Sequence, residues 1–383
     1  MSTDALITEL GHAQALLVAL AEDADPATFR SQYHPDLSPL GWHLGHCIYT
    51  ECLWLHEKLR GDDSVTSPIA DLYTPPRTPK PERGKRLPPQ PALLAWATEL
   101  QAFNLHYLRK LRPQWQQHTL LEDDYLIHFL IQHNSQHYET MLMILNQKAL
   151  HEHGVPDTPH QPLQASVLQP ELADIPAGHY RIGGQRPVAC DNELPPQQAD
   201  LGPFSISRTP VSNSEYLAFM EDGGYRRPEL WDDEGWRWQQ AHGITSPDHW
   251  RQENGGWYAV GMKGSYDLAE REPVSGLSHH EAQAFARWAN ARLPHEYQWE
   301  AACRIGLLEQ TGRVWEWCSN PFHAYEGFTP FPYDEYSLPW LDGRHFSLRG
   351  GSLHTRPAIK RPSFRNFFLA DKRHIFAGLR LVY

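Results

Sequence analysis

Over the first 150 residues, apolar side chains recur every three to four positions, the spacing that lines one face of an α-helix. In DALITELGHAQALLVALAED, Leu6, Leu10, Ala13, Leu17 and Leu20 fall on one stripe. SPLGWHLGHCIYTECLWLHEKLRG opens on a Ser-Pro start and stops at Gly61, the start and stop signals of a second helix. A Pro-rich, charged stretch from Thr66 to Pro91 separates it from ALLAWATELQAFNLHYLRKLRP and DDYLIHFLIQHNSQHYETMLMILNQKAL. Four long amphipathic segments with one long connection predict a four-helix bundle over residues 1–150.

The helical period stops at HEHGVPDTPHQPLQASVLQPE, residues 151–171, which reads as a linker. Beyond it, short runs (HYRIGG, FSISRTPV, GGWYAVG, FSLRGGS, GLRLVY) alternate with Gly, Pro and Asp turns. Two helical segments interrupt them, NSEYLAFMEDG and SHHEAQAFARWANAR. Residues 172–383 therefore read as an α+β domain with short strands and much loop.

Composition narrows the function classes. Lys+Arg 34 against Asp+Glu 46 gives a net charge of −12, without the basic footprint of a nucleic-acid binder. The local exception is RTPKPERGKR, Arg77 to Arg86, a solvated basic loop or an anion-binding segment. Five scattered cysteines without a CxxC argue against a disulfide framework. MSTDALITEL lacks a signal-peptide pattern, and no run approaches the roughly 20 apolar residues of a membrane span. A cytoplasmic protein without nucleic-acid or membrane partners is expected; the oligomeric state is left open.

The chain is rich in histidine, with 23. His133 and His137 lie at i and i+4 on a predicted helix, on one face and about one turn apart. That spacing also arises on ordinary polar faces, but Phe129, Leu130, Met141 and Leu145 make much of this helix apolar, where unpaired imidazoles would be costly. GWHLGHC on the second helix offers His46 as a third ligand in an apolar stretch. Its alternative reading is a core histidine bonded to a backbone carbonyl. His43 is expected to turn onto a different face. Three histidines from two helices leave metal positions open, as catalytic sites do, and imidazole suits Zn, Fe, Cu and Ni alike.

Together these motifs resemble the EgtB/OvoA/SenA-type nonheme iron sulfoxide (or selenoneine) synthases. GWHLGH and HNSQHYET look like their DinB-like N-terminal domain. DIPAGHYRIGG, DNELP, FSISRTPVSNSEYLAFMEDGGY, ARLPHEYQWEAA, GRVWEWC, FSLRGGS and RHIFAGLRL resemble, in order, a C-type-lectin-like domain of the formylglycine-generating-enzyme type. The resemblance covers nearly all of residues 30–383. It implies a DinB-like four-helix bundle (1–150), a linker (151–171) and a formylglycine-generating-enzyme-like catalytic domain (172–383).

In that family an Fe(II) centre held by three histidines sits between the domains. It joins a thiol to the imidazole C2 of a histidine derivative, using O2, and yields a sulfoxide. By position, His46, His133 and His137 match the ligands, and hercynine is the implied acceptor. PYDEYS resembles the segment carrying the active-site tyrosines: Tyr333 as the phenol supplying a proton or electron, Tyr336 as its neighbour. Trp315 and Trp317 are expected in the core, and Cys318 lacks the partner needed for copper-dependent formylglycine chemistry.

The chain departs from the family at RNFFLADKRHIF, where relatives read RNWDYPIRRQIF. Asn366 is kept as an acceptor contact. Phe367 replaces a tryptophan, Phe368 an aspartate near the substrate, and Lys372 an arginine that clamps the donor carboxylate. Lysine keeps the charge and loses the planar fork, which keeps cysteine or a selenosugar in play beside γ-glutamylcysteine. Arg77 and Arg83 are further candidates for a donor anion. With no methyltransferase domain after Tyr383, a full-length ovothiol enzyme is not expected. Two other readings stand beside oxidative C–S or C–Se bond formation on hercynine: a DinB-like Zn or Ni thiol S-transferase, and a non-catalytic lectin-like binding module.

Overall fold

The computed structural model describes residues 1–110, 118–153 and 161–383. The chain divides into two compact units, Met1–Glu152 with Arg186–Val188, and His153–Gln185 with Ala189–Tyr383. The end of the expected third helix, Leu111 to Pro113, and the linker stretch Gly154 to His160 lie outside the described residues.

The first unit is built on helices Thr3–Asp23, Leu40–Cys52, Gln90–Lys110 and Tyr125–Glu152. The fourth runs through His151 and Glu152, two residues into the expected linker. Ser2 caps the first helix by accepting from the Ala5 amide. Leu6, Ile7, Leu10, Ala13 and Leu17 are buried, and that helix packs on the third and fourth helices. Its 21 residues are long and apolar enough to cross a membrane by length and composition, against the expectation that no run would be. Here the apolar face is the wall of a bundle core.

The second helix is buried along its whole length and continues as a π-helical turn, Leu53–Lys58. Gly61, at φ 73°, follows it in the left-handed region that glycine adopts most easily. The Pro-rich crossover is partly helical, at Ala70–Tyr73 and Lys80–Arg86. Two glycines of the second helix admit close neighbours: a Cβ at Gly41 would lie 2.4 Å from the ring of Phe29, on the short helix Pro26–Arg30, and one at Gly45 would lie 2.2 Å from the Tyr73 ring of the crossover.

One buried carboxylate joins the four helices. Glu51, on the second, accepts from Gln14 Nε2 at 2.8 Å, Asn104 Nδ2 at 3.2 Å and Asn134 Nδ2 at 2.9 Å, one amide from each other helix. His56 Nε2 bonds Asn104 Oδ1 at 2.8 Å, so the Asn104 carbonyl is engaged there while its amino group faces Glu51. Burial pushes the Glu51 carboxyl up to about 6, and the three amides pull it back.

In the second unit a four-stranded sheet runs in the order Asn366–Leu369, His345–Arg349, Trp315–Pro321, Ala377–Gly378, with only the last pairing parallel. A three-stranded sheet is formed by Trp250–Glu253, Gly256–Gly261 and Gly264–Asp267. Leu172–Ile175 pairs with Phe204–Ser207, and Gly178–Ile182 with Gln197–Leu201. The two expected helices form at Asn213–Glu221 and His279–Trp288, each opened by a capping box, Ser212 with Glu215 and Ser278 with Glu281. Two more, Asp233–His242 and Glu296–Arg304, were not expected. Trp315 and Trp317 are core residues.

Glu296, fully buried, receives Arg365 through Nε at 2.8 Å and Nη2 at 2.7 Å, and Arg349 Nη2 at 2.8 Å. Burial alone would raise its pKa, but the two guanidinium groups outweigh it and hold the carboxyl well below the usual range. This fixes the backbone immediately before Asn366.

The Glu51 arrangement predicts that Glu51→Gln, which places a donor where three donors already point, destabilises the first unit by about 1–3 kcal/mol. Glu51→Leu, which strands all three buried amides, should destabilise it more. Urea unfolding of the metal-free protein measures both; two unchanged midpoints would show that the network contributes nothing.

Candidate metal centre

His46, His133 and His137 converge. Each offers one nitrogen within 4.8 Å of the others, and their ring centroids lie 5.2, 4.8 and 4.5 Å apart in pairs. The i, i+4 spacing stacks His133 and His137 on one face of the fourth helix, and the second helix supplies His46.

The short crossover helix orients His46. The last carbonyls of any helix lack intrahelical partners, and two of them are used here: Leu72 O accepts from Trp42 Nε1 and Tyr73 O bonds His46 Nδ1, both at 2.8 Å. A carbonyl only accepts, so His46 carries its hydrogen on Nδ1 and presents a bare Nε2. Trp42 stacks on His46 with centroids 4.7 Å apart and planes 8° from parallel, which holds the ring plane.

His43 is not on a separate face. Residues three apart on a helix are rotated by only roughly 60°, and His43 Nδ1 lies 2.8 Å from His137 Nδ1. His133 Nδ1 is buried with no hydrogen-bond partner among the described residues.

Burial drives every imidazole here toward the neutral form. It lowers His46 to about 4, with the positive Arg83 adding to the effect and the Tyr73 carbonyl opposing it. His133 and His137 are held well below the ordinary range by burial first and neighbouring imidazoles second. Neutral imidazoles are the ligand form, with no proton to displace. Three such donors without a carboxylate fit a borderline divalent metal and leave coordination positions open.

Arg83 requires a correction. It is buried, and its three nitrogens donate to Thr78 O, Ser38 Oγ and Pro75 O while its guanidinium lies 4.0 Å from the centroid of Trp42. The basic run folds into the helix Lys80–Arg86 and turns Arg83 inward, so it braces the crossover and is not available to a donor anion. Arg77 is exposed.

In the second unit, Asn366, Phe367 and Phe368 lie on the edge strand Asn366–Leu369, and Lys372 follows with Nζ 3.3 Å from Asp371. Phe367 stacks on Phe322 at 4.3 Å and faces Trp340 at 6.0 Å. Phe368 meets His374 edge-on at 6.2 Å. Tyr333 precedes and Tyr336 ends the 3₁₀ turn Asp334–Tyr336, with ring centroids 6.1 Å apart, and the Tyr336 hydroxyl is 3.3 Å from Cys190 Sγ. Burial raises the Tyr333 pKa, with Asp191 and Glu335 adding to it, so this phenol keeps its hydrogen at neutral pH. Cys318 is a buried free thiol.

A group whose folded pKa lies below its unfolded value lends stability above the unfolded value and loses it as pH falls toward the folded one. His46, depressed from 6.5 to about 4, should therefore make the metal-free protein progressively less stable between pH 6.5 and 4. Thermal melts of the metal-stripped chain across that range should show the decline, with a shallower slope in His46→Gln. Equal slopes in the two proteins would contradict the depressed imidazole.

Comparison with known proteins agrees with this division of the chain. Residues 9–141 match the DinB superfamily, and residues 159–311 and 305–383 match the sulfatase-modifying factor enzyme 1-like domain. Hercynine oxygenase of Mycobacterium tuberculosis is 30% identical, with 100% of this chain and 99% of that protein covered. Hercynine oxygenase of Mycolicibacterium smegmatis is 32% identical over the same shares. The formylglycine-generating enzyme of Thermomonospora curvata is 36% identical over 36% of this chain and 49% of its own length. A DinB-type bundle with converging histidines, a sulfatase-modifying-factor-type domain and end-to-end similarity at this level place the chain in the EgtB-type, hercynine oxygenase family.

Proposed function

We propose that the protein is an Fe(II)- and O2-dependent oxidoreductase joining a thiol or selenol donor to the imidazole C2 of hercynine, in ergothioneine or selenoneine formation. The observation that carries this reading is the cluster of three neutral, converging imidazoles in a chain aligned end to end with hercynine oxygenases. The second unit, more than half the chain, would serve here as the substrate-binding half, whereas a DinB-like thiol S-transferase leaves it without a clear task.

His46, His133 and His137 would hold the iron. When bound, iron would supply the redox chemistry that activates O2 and gathers the reactants within bonding distance. For a thiol donor giving a sulfoxide the balance closes: the C2–H and S–H bonds break, C–S and S–O bonds form, and the second oxygen atom leaves as water. The chain's own side chains bind and position. Asn366, Phe367 and Phe368 would form part of the acceptor surface, where aromatic rings suit a trimethylammonium group. Lys372 would attract the donor carboxylate as a point charge, and Arg77 would add to it. Tyr333, protonated at neutral pH, would donate its hydroxyl hydrogen beside the reacting sulfur, with Tyr336 as its neighbour.

The test is an aerobic assay of the iron-loaded protein with hercynine and, in turn, cysteine, γ-glutamylcysteine and a selenosugar. Oxygen uptake and a C2-substituted product with at least one donor are expected, both lost in His133→Ala and His137→Ala. Tyr333→Phe should lower the rate by about 10²-fold, in the range of a positioned acid. No product with any donor would overturn the proposal. Thiol transfer without oxygen uptake in zinc- or nickel-loaded protein would favour the transferase.

A further inference from the structure

The hydrogen bond between His43 and His137 has a consequence for the metal centre. Two neutral imidazoles meet through their Nδ1 atoms, 2.8 Å apart, so one of those atoms carries the shared hydrogen and the other accepts it. If His43 donated, His137 would accept at Nδ1 and bear its own hydrogen on Nε2. Neither nitrogen of His137 would then have a lone pair for a metal. If His137 donates, its Nε2 is bare, in the same tautomer that the Tyr73 carbonyl imposes on His46.

We infer that His43 is a positioning residue of the metal centre: its Nδ1 accepts from His137 Nδ1–H, fixing the tautomer and ring orientation in which His137 presents Nε2 to the ion. The inference rests on the metal reading proposed above, and adds a fourth histidine that acts through a ligand. Two observations support it beyond the short contact. His43 is buried, and its ring meets Trp42 edge-on with centroids 5.3 Å apart and planes at 89°, so the acceptor is held in place. The same indole stacks on His46, tying the two orienting contacts to one rigid ring. With Nδ1 accepting, His43 carries its hydrogen on Nε2, which is buried without a partner among the described residues, a cost that the contact with His137 has to offset. His46 and His137 would then each give their second N–H to an acceptor, as ligating imidazoles usually do.

Chemistry supplies a discriminating pair of variants. The Oδ1 of asparagine occupies the place of a histidine Nδ1 and accepts, whereas leucine fills the space and cannot. Fe(II) affinity of the full chain, measured anaerobically by chelator competition, should stay within about threefold of wild type in His43→Asn. In His43→Leu it should weaken by about 10–100-fold, with Co(II) absorption bands shifted in His43→Leu only. Unchanged affinity in a folded His43→Leu, or equal losses in both variants, would overturn the role. Failure of the wild-type chain to bind either ion would instead overturn the metal reading, and this role with it. Should His43→Leu not fold, ¹⁵N-histidine NMR of the metal-free wild type decides. His137, assigned by its loss in His137→Ala, should show a protonated Nδ1 and a bare Nε2; the opposite tautomer would overturn the inference.

Discussion

A single buried carboxylate sets the frame on which the first unit depends. Glu51 has no solvent exposure and is reached by amides from each of the three other helices. Water cannot repair a lost partner at such a site, so the four helices have one register that satisfies all the donors. A buried charge of this kind contributes little net stability compared with an apolar core; it selects one arrangement among several. Asn134 adjoins His133 in sequence, and Glu51 lies five residues after His46. The network that fixes helix register therefore also fixes where the second and fourth helices place His46, His133 and His137.

On that frame, desolvation and directed hydrogen bonds divide the work. Burial keeps the imidazoles neutral, which readies them for a cation and makes them expensive to leave alone. The Tyr73 carbonyl then selects which nitrogen of His46 is bare. The glycine at position 45 is what allows this: with any side chain there, the Tyr73 ring would be displaced from the second helix, and the carbonyl that orients His46 with it. GWHLGH thus combines the candidate ligand His46, its stacking partner Trp42 and the two glycines that admit the Phe29 and Tyr73 rings. In the second unit Glu296 plays the framing part, clamping Arg365 and so the start of the strand that carries Asn366, Phe367 and Phe368.

Much of this was legible in residue order, for identifiable reasons. The bundle helices are long and strongly periodic, and the i, i+4 spacing marks His133 and His137, whereas His46 was singled out by its apolar surroundings and joined to them by the family resemblance. The helices Asp233–His242 and Glu296–Arg304 were missed because both are short and polar, and their stability comes from caps and packing. Asp232 and Gly243, at φ 61°, were the available signals for the first. Arg83 was misread because a run of like charges usually marks a solvated surface, whereas here three internal acceptors and an indole face draw it inward. Spacing supplies an angle around one helix and no distance to its neighbour, so it could not reveal that His43 meets His137. Nor could it reveal the carbonyls of Leu72 and Tyr73, since backbone acceptors have no sequence signature.

The central claim is that three imidazoles of the first unit form one metal centre. X-ray absorption at the iron edge of the Fe(II)-loaded, anaerobic full chain tests it most directly. The account predicts a nitrogen and oxygen shell with the outer-shell scattering of three imidazoles, falling to two in His46→Ala and in His137→Ala alike. A sulfur shell from Cys47 or Cys52, or a wild-type spectrum with no imidazole scattering, would contradict it.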